Sequence, residues 1–154
     1  MYNLSEAVKG GTVCLSKAGL AVGSAGATVD IAAPNGAGVD FAIDGKIYHK
    51  ADTANNAITA AAVQAVSSSC LYLVQINASG TVSTVKGTAV LTANVGNEPL
   101  NWPDPAADNC PIGAFRIDTD STHTYTAGTT ENGAAGITDT YYDLFAIPPA
   151  PLTA

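Results

Sequence analysis

Apolar positions along the chain alternate over short distances and are cut at close intervals by Gly, Asp, Asn and Pro. That rhythm belongs to strands and turns. Val39, Phe41 and Ile43 share one side of an extended segment, with Asp40 and Ala42 on the other. Asp44-Gly45 follows, then Lys46-Ile47-Tyr48-His49-Lys50. Asp-Gly between two strand-like runs predicts a hairpin, because a type I′ turn needs positive φ at both central residues. Residues 70–76 form a nearly continuous apolar run, the pattern of a strand covered on both faces. Asn77-Ala78-Ser79-Gly80 then reads as a turn, and residues 81–86 return as a strand carrying Val82 and Val85. Further strand-like pieces lie at 12–15, 28–32, 88–93, 113–118, 122–126 and 137–147.

Two segments depart from this rhythm. Between 55 and 69, Ile58, Ala62, Ala65, Val66 and Ser69 recur at helical spacing in an Ala-rich stretch, which predicts a short helix. Asp52, Thr53 or Asn55 would cap it, although Ile58-Thr59 and Val63 also suit a strand. Residues 97–111 hold Pro99, Pro103, Pro105 and Pro111 around Trp102, the single tryptophan. Proline fixes φ and removes a ladder donor, so this stretch is expected to be a loop, with Trp102 anchoring it to the core.

The elements together predict a mainly β fold: an antiparallel sandwich or barrel-like domain with at most one short helix, preceded by an irregular N-terminal arm. The expected organisation is a Gly/Ala-rich arm or inter-subunit segment at 1–38, a β domain at 39–147 and a Pro-rich tail at 148–154.

Composition narrows the function classes. Of 154 residues, 28 are Ala, 17 Thr and 15 Gly, and charged residues make up only 12%. Such a chain lacks the Glu, Lys and Leu of a coiled coil or charged bundle. Six Lys and Arg against 13 Asp and Glu leave a net charge of −7, which supplies no basic surface for nucleic acid. An apolar fraction of 47% argues against a disordered chain. No secretory or membrane-spanning segment is visible, so synthesis in a cytosol and no membrane partner are expected. Cys14, Cys70 and Cys110 are widely spaced without a CxxC pair, which reads as three buried, reduced thiols rather than a zinc site.

A search for chemistry gives little. Ser24 in Val22-Gly23-Ser24-Ala25-Gly26 lacks the first glycine of a nucleophile elbow. The Gly10-Gly11-Thr12 and 19–26 stretches match neither GxGxxG nor a P-loop. His49 and His123 fall in strand-like stretches without an evident nucleophile partner. Asp118-Thr119-Asp120-Ser121 offers alternating oxygens but no EF-hand glycine or distal glutamate, and turn formation accounts for it. Asn77-Ala78-Ser79 and Asn3-Leu4-Ser5 match the glycosylation sequon without a secretory signal before them. No enzyme activity, cofactor or metal is expected.

Four stretches carry a family resemblance: residues 41–48 (FAIDGKIY), 58–64, 71–87 (LYLVQINASGTVSTVKG) and 110–115 (CPIGAF). In order they give an apolar strand, a turn ending in Gly-Thr-Val, a Pro-rich loop and an Ile-Gly strand. The pattern, over about residues 39–118, resembles tailed-bacteriophage capsid decoration (cement) proteins and related head-fibre modules. The resemblance implies a structural virion protein on the outer capsid surface, made in the host bacterial cytoplasm. It implies a homotrimer that bridges and stabilises neighbouring copies of the major capsid protein against internal DNA pressure. Leu4, Val8, Val13 and Leu15 in the N-terminal arm are the expected capsid or inter-subunit contacts. The alternative is a carbohydrate- or host-surface-binding β module such as a fibre head, with Trp102, Tyr125, Tyr141 and Tyr142 as candidate stacking platforms.

Overall fold

The computed structural model describes residues 11–32 and 36–145. These residues are mainly β, with eleven strands in three antiparallel sheets and no closed barrel among them. In chain order the strands are β1 (Val13–Cys14), β2 (Leu20–Val22), β3 (Thr28–Ile31), β4 (Val39–Ile43), β5 (Lys46–Lys50), β6 (Thr53–Ala57), β7 (Ser68–Asn77), β8 (Val82–Lys86), β9 (Val90–Leu91), β10 (Asn109–Thr119) and β11 (Ile137–Asp143). The largest sheet runs β11-β10-β7-β8, with β9 also paired to β7. β8 takes Tyr72 to Ile76 and β9 takes Ser68 and Ser69, so the two short strands share one edge of β7. The smaller sheets run β1-β4-β5 and β2-β3-β6.

One apolar cluster joins the three sheets. Cys70, Tyr72, Val74 and Ile76 of β7 and Cys110, Ile112, Phe115 and Ile117 of β10 meet Val39, Phe41 and Ile43 of β4 and Val29 and Ile31 of β3. Tyr72 stacks on Phe115 with ring centroids 5.0 Å apart, and Tyr125 closes on Tyr72 edge-on at 5.5 Å. β7 is buried along both faces from Ser68 to Ile76, as the apolar run predicts. Its second face, Leu71, Leu73 and Gln75, lies under the Pro-rich loop. The Ala106 N–H donates to Gln75 Oε1 at 2.8 Å, while Gln75 Nε2 donates to Ser83 Oγ at 3.1 Å.

The Asp44-Gly45 hairpin forms as expected, with φ of 51° and 78° at its two central residues. Residues 11 and 12 strap it down. The Gly45 N–H donates to the Gly11 carbonyl at 2.9 Å, and the Asp44 N–H donates to Thr12 Oγ1 at 3.1 Å. Residues 11–32 of the Gly/Ala-rich N-terminal segment therefore share the core. β1 pairs with β4, β3 pairs with β6, and Cys14, Ala18, Leu20, Val29 and Ile31 are buried.

The helix expected within 55–69 does not form. β6 occupies its start, and Asn55 and Ser67 have φ of 58° and 52°, outside any right-handed helix. Long-range hydrogen bonds take the place of local ones. Thr59 and Thr84 exchange backbone N–H to side-chain bonds of 3.0 and 2.9 Å, and Gln64 and Tyr125 exchange two backbone bonds. The Asn55 N–H donates to Asp30 Oδ1 at 2.6 Å. Alanine favours a helix only where backbone amides find partners four residues away, and here polar neighbours offer better ones.

Three boundaries also differ. β10 begins at Asn109 and takes in Pro111, because a bulge between Pro111 and Gly113 absorbs the missing N–H. The segment 122–126 is not a strand; only Tyr125 pairs, through the bridge to Gln64. β11 stops at Asp143: Leu144 and Phe145, expected to continue the strand, are irregular, and residues 146–147 and the Pro-rich tail at 148–154 lie outside the described residues.

Candidate binding groove

On the far side of the large sheet from the core, the Pro-rich loop leaves a shallow groove of about 320 Å³. Leu73 forms its floor; Trp102, Pro103, Asp104, Pro105, Pro111 and Leu144 form its walls. A second hollow of about 260 Å³ continues past Pro111 and Leu144 to Val13, Cys14 and Phe145. Proline placement explains the shape. Pro103 and Pro105 fix φ and donate no backbone bond, and both edges of β7 are taken by β10, β8 and β9, so the loop lies over the face of the sheet without joining it. The Pro111 bulge leaves room at the start of β10.

Trp102 sits at the rim. Its ring meets that of Tyr142 edge-on at 6.2 Å, and both are partly exposed, Trp102 by 48% and Tyr142 by 38%. Trp102, expected to anchor the loop to the core, is thus about half exposed beside Tyr142. Phe145 is also 48% exposed. Among the side chains lining the 320 Å³ groove, only Asp104 is charged or polar.

The four candidate aromatics divide cleanly. Trp102 and Tyr142 face outward. Tyr125 and Tyr141 turn inward and are joined through Asn132: the Tyr125 hydroxyl donates to Asn132 Oδ1 at 2.6 Å, and Asn132 Nδ2 donates to the Tyr141 hydroxyl at 2.9 Å. Tyr72 likewise donates to Gln64 Oε1 at 3.0 Å, and Gln64 Nε2 donates to the carbonyls of Ser68 and Ile117. Burial pushes all three phenols above their ordinary range. Among the described residues every buried side-chain polar atom has a partner.

Of the expected contact residues, Val13 lines the 260 Å³ hollow. Leu15 is half-buried beside β4, its N–H donating to the Asp40 carbonyl at 2.9 Å. Leu4 and Val8 lie outside the described residues.

The polar constellations serve local structure. Asp120 accepts from the N–H groups of Thr122 and His123 and from the His123 ring, which hold its carboxyl well below the usual carboxylate range. Asp118 pairs with Arg116 at 2.8 Å instead of sharing a site with Asp120. His49 Nδ1 lies 2.8 Å from Asp40 on the exposed side of the hairpin. Ser24 is exposed and bonded to Asn55, away from both histidine pairs. No group of three or more His, Cys, Asp or Glu gathers among the described residues. The three cysteines are buried and unpaired; burial pushes the Cys14 thiol up to about 11 and that of Cys110 up to about 12, and raises Cys70.

Sequence reasoning found Trp102 and Tyr142 but not the groove. Its parts lie near positions 73, 102, 111 and 144, and only the folded sheet brings them together. No known protein family, curated protein or solved structure matches the chain.

Proposed function

We propose that the protein is a structural virion subunit, a capsid decoration protein that works by burying its own surface against neighbours. Its partners are the major capsid protein and further copies of itself in a homotrimer. The observation that carries this reading is where the large apolar side chains lie. Ile47 is 70% exposed, Val63 58% and Leu91 56%, in addition to the aromatic groove rim. Scattered apolar exposure is ordinary in a monomer. In a chain with so little charge, on two strands and the segment between β6 and β7, it suits a subunit that is covered on more than one side. The resemblance over residues 39–118 points the same way.

The N-terminal residues supply the test. Among the described residues the core begins at Cys14 and the hairpin strap at Gly11, so the truncation stops at residue 10 to keep both. Removing residues 1–10 deletes Leu4 and Val8 while leaving β1 in place. The truncated protein is expected to keep its melting behaviour and to lose co-sedimentation with capsid shells. Full-strength binding to shells would reject the assignment of the arm as the attachment element.

A carbohydrate-binding reading draws on the outward pair of Trp102 and Tyr142, since sugars stack on aromatic faces. The groove beside them offers Asp104 as its one polar side chain, few partners for a sugar's hydroxyls. A glycan screen with Trp102→Ala as control decides it: specific binding lost in the variant would favour the fibre-head class.

A further inference from the structure

We propose that the groove under Trp102 is a ligand site, and that it takes the proline-rich segment of a second copy of this chain, residues 148–152. This inference rests on the groove and not on the capsid reading.

The lining selects the ligand class. Trp102 and three prolines surround an apolar floor, with one carboxylate at the edge, and Tyr142 stands against the Trp102 ring. An exposed aromatic face beside an apolar floor suits a proline-rich segment: pyrrolidine rings pack on aromatic faces, and a chain already restricted in φ loses little entropy on docking. Few hydrogen bonds are demanded of the walls, because a proline-rich segment has few N–H groups to satisfy.

The sequence holds such a segment. Ile147-Pro148-Pro149-Ala150-Pro151-Leu152 follows the last described residues with only Ala146 between it and Phe145. At about 3.1 Å per residue in polyproline II geometry, 148–152 would cover about 15 Å.

The position of Leu144 and Phe145 decides whose segment it is. Leu144 is a wall of the groove and Phe145 a wall of its continuation. The described chain passes from the groove at Leu144 to its continuation at Phe145, so filling its own groove would call for a reversal beyond Phe145. Ile147 precedes a proline, which disfavours the α region a tight reversal uses. A neighbour's segment meets no such constraint.

Trp102, the single tryptophan, reports directly on its own groove. The experiment measures the mass of the full chain in solution and its tryptophan emission across a dilution series. It compares the native chain with a tail variant carrying Pro148→Ala, Pro149→Ala and Pro151→Ala, whose changes lie outside the described core. The expected result is self-association of the native chain with a concentration-dependent emission shift. In the tail variant, association weakens about tenfold or more and the emission is that of the diluted native protein. A free peptide of residues 146–154 added to the tail variant should restore the shift. The same mass and emission for both chains would overturn the proposal. So would a monomer whose emission changes with the tail substitutions independently of concentration, because that places the segment in its own chain's groove.

Discussion

β7 has two buried faces, closed in different ways. On one, Cys70, Tyr72, Val74 and Ile76 meet two other sheets, stacked aromatics and a hydrogen-bonded set of tyrosines, Gln64 and Asn132. On the other, Leu71, Leu73 and Gln75 are covered by one irregular loop, and the tryptophan above them is half exposed. The first face is a finished core in which each polar group has its partner. The second is buried too, but its cover is a loop that leaves a shallow groove over Leu73. The same strand thus packs into a core of sheets with one side and under a single loop with the other.

The difference is open to attack from both sides. The largest effect is expected from Tyr72→Ala, which removes a stacked ring and leaves Gln64 Oε1 without its donor; it should cost about 4 kcal/mol in denaturant unfolding. Alkali attacks the same face. The Cys14 and Cys110 thiols are pushed up to about 11 and about 12 in the folded protein. A raised folded-state pKa means that the native state keeps a proton the unfolded chain has released. Stability should therefore be flat below pH 9 and fall from there towards pH 11, by about 1.4 kcal/mol per pH unit for each thiol. Urea titrations between pH 7 and pH 11 read the slope. Thiol alkylation of the native protein should stay slow up to the same pH.

Smaller effects belong to the outer face. Leu73→Ala should cost about 2 kcal/mol, the low end for a buried leucine, because the loop above it can settle into the space. Trp102→Ala should change stability by less than about 1 kcal/mol, since one side of the ring is already in water, while it abolishes whatever the groove binds. A loss of stability from Trp102→Ala equal to that from Tyr72→Ala would erase the distinction between the two faces.

Much of the inner face was legible in the sequence, because its signals are local. The apolar run at 70–76 marks β7, and Asp44-Gly45 marks the hairpin through the positive φ its turn requires. Segments whose partners are distant were not legible. Residues 55–69 read as a helix on alanine content, yet Thr84, Tyr125 and Asp30 recruit that backbone from far along the chain. Pro111 reads as loop by its chemistry and becomes strand only because β10 bulges around it. The core role of residues 11–32 was hidden by short strands that bury few side chains each. Among the candidate contacts, Val13 lines a hollow because β1 pairs with β4 beside β10, a placement that no local pattern encodes.

The claim that this chain works by adhesion is tested most directly by heating shells of the major capsid protein with and without it. The protein is expected to bind the shells at a fixed ratio and to raise the temperature at which they rupture. Shells that rupture at the same temperature in saturating protein, with none of it bound, would rule adhesion out.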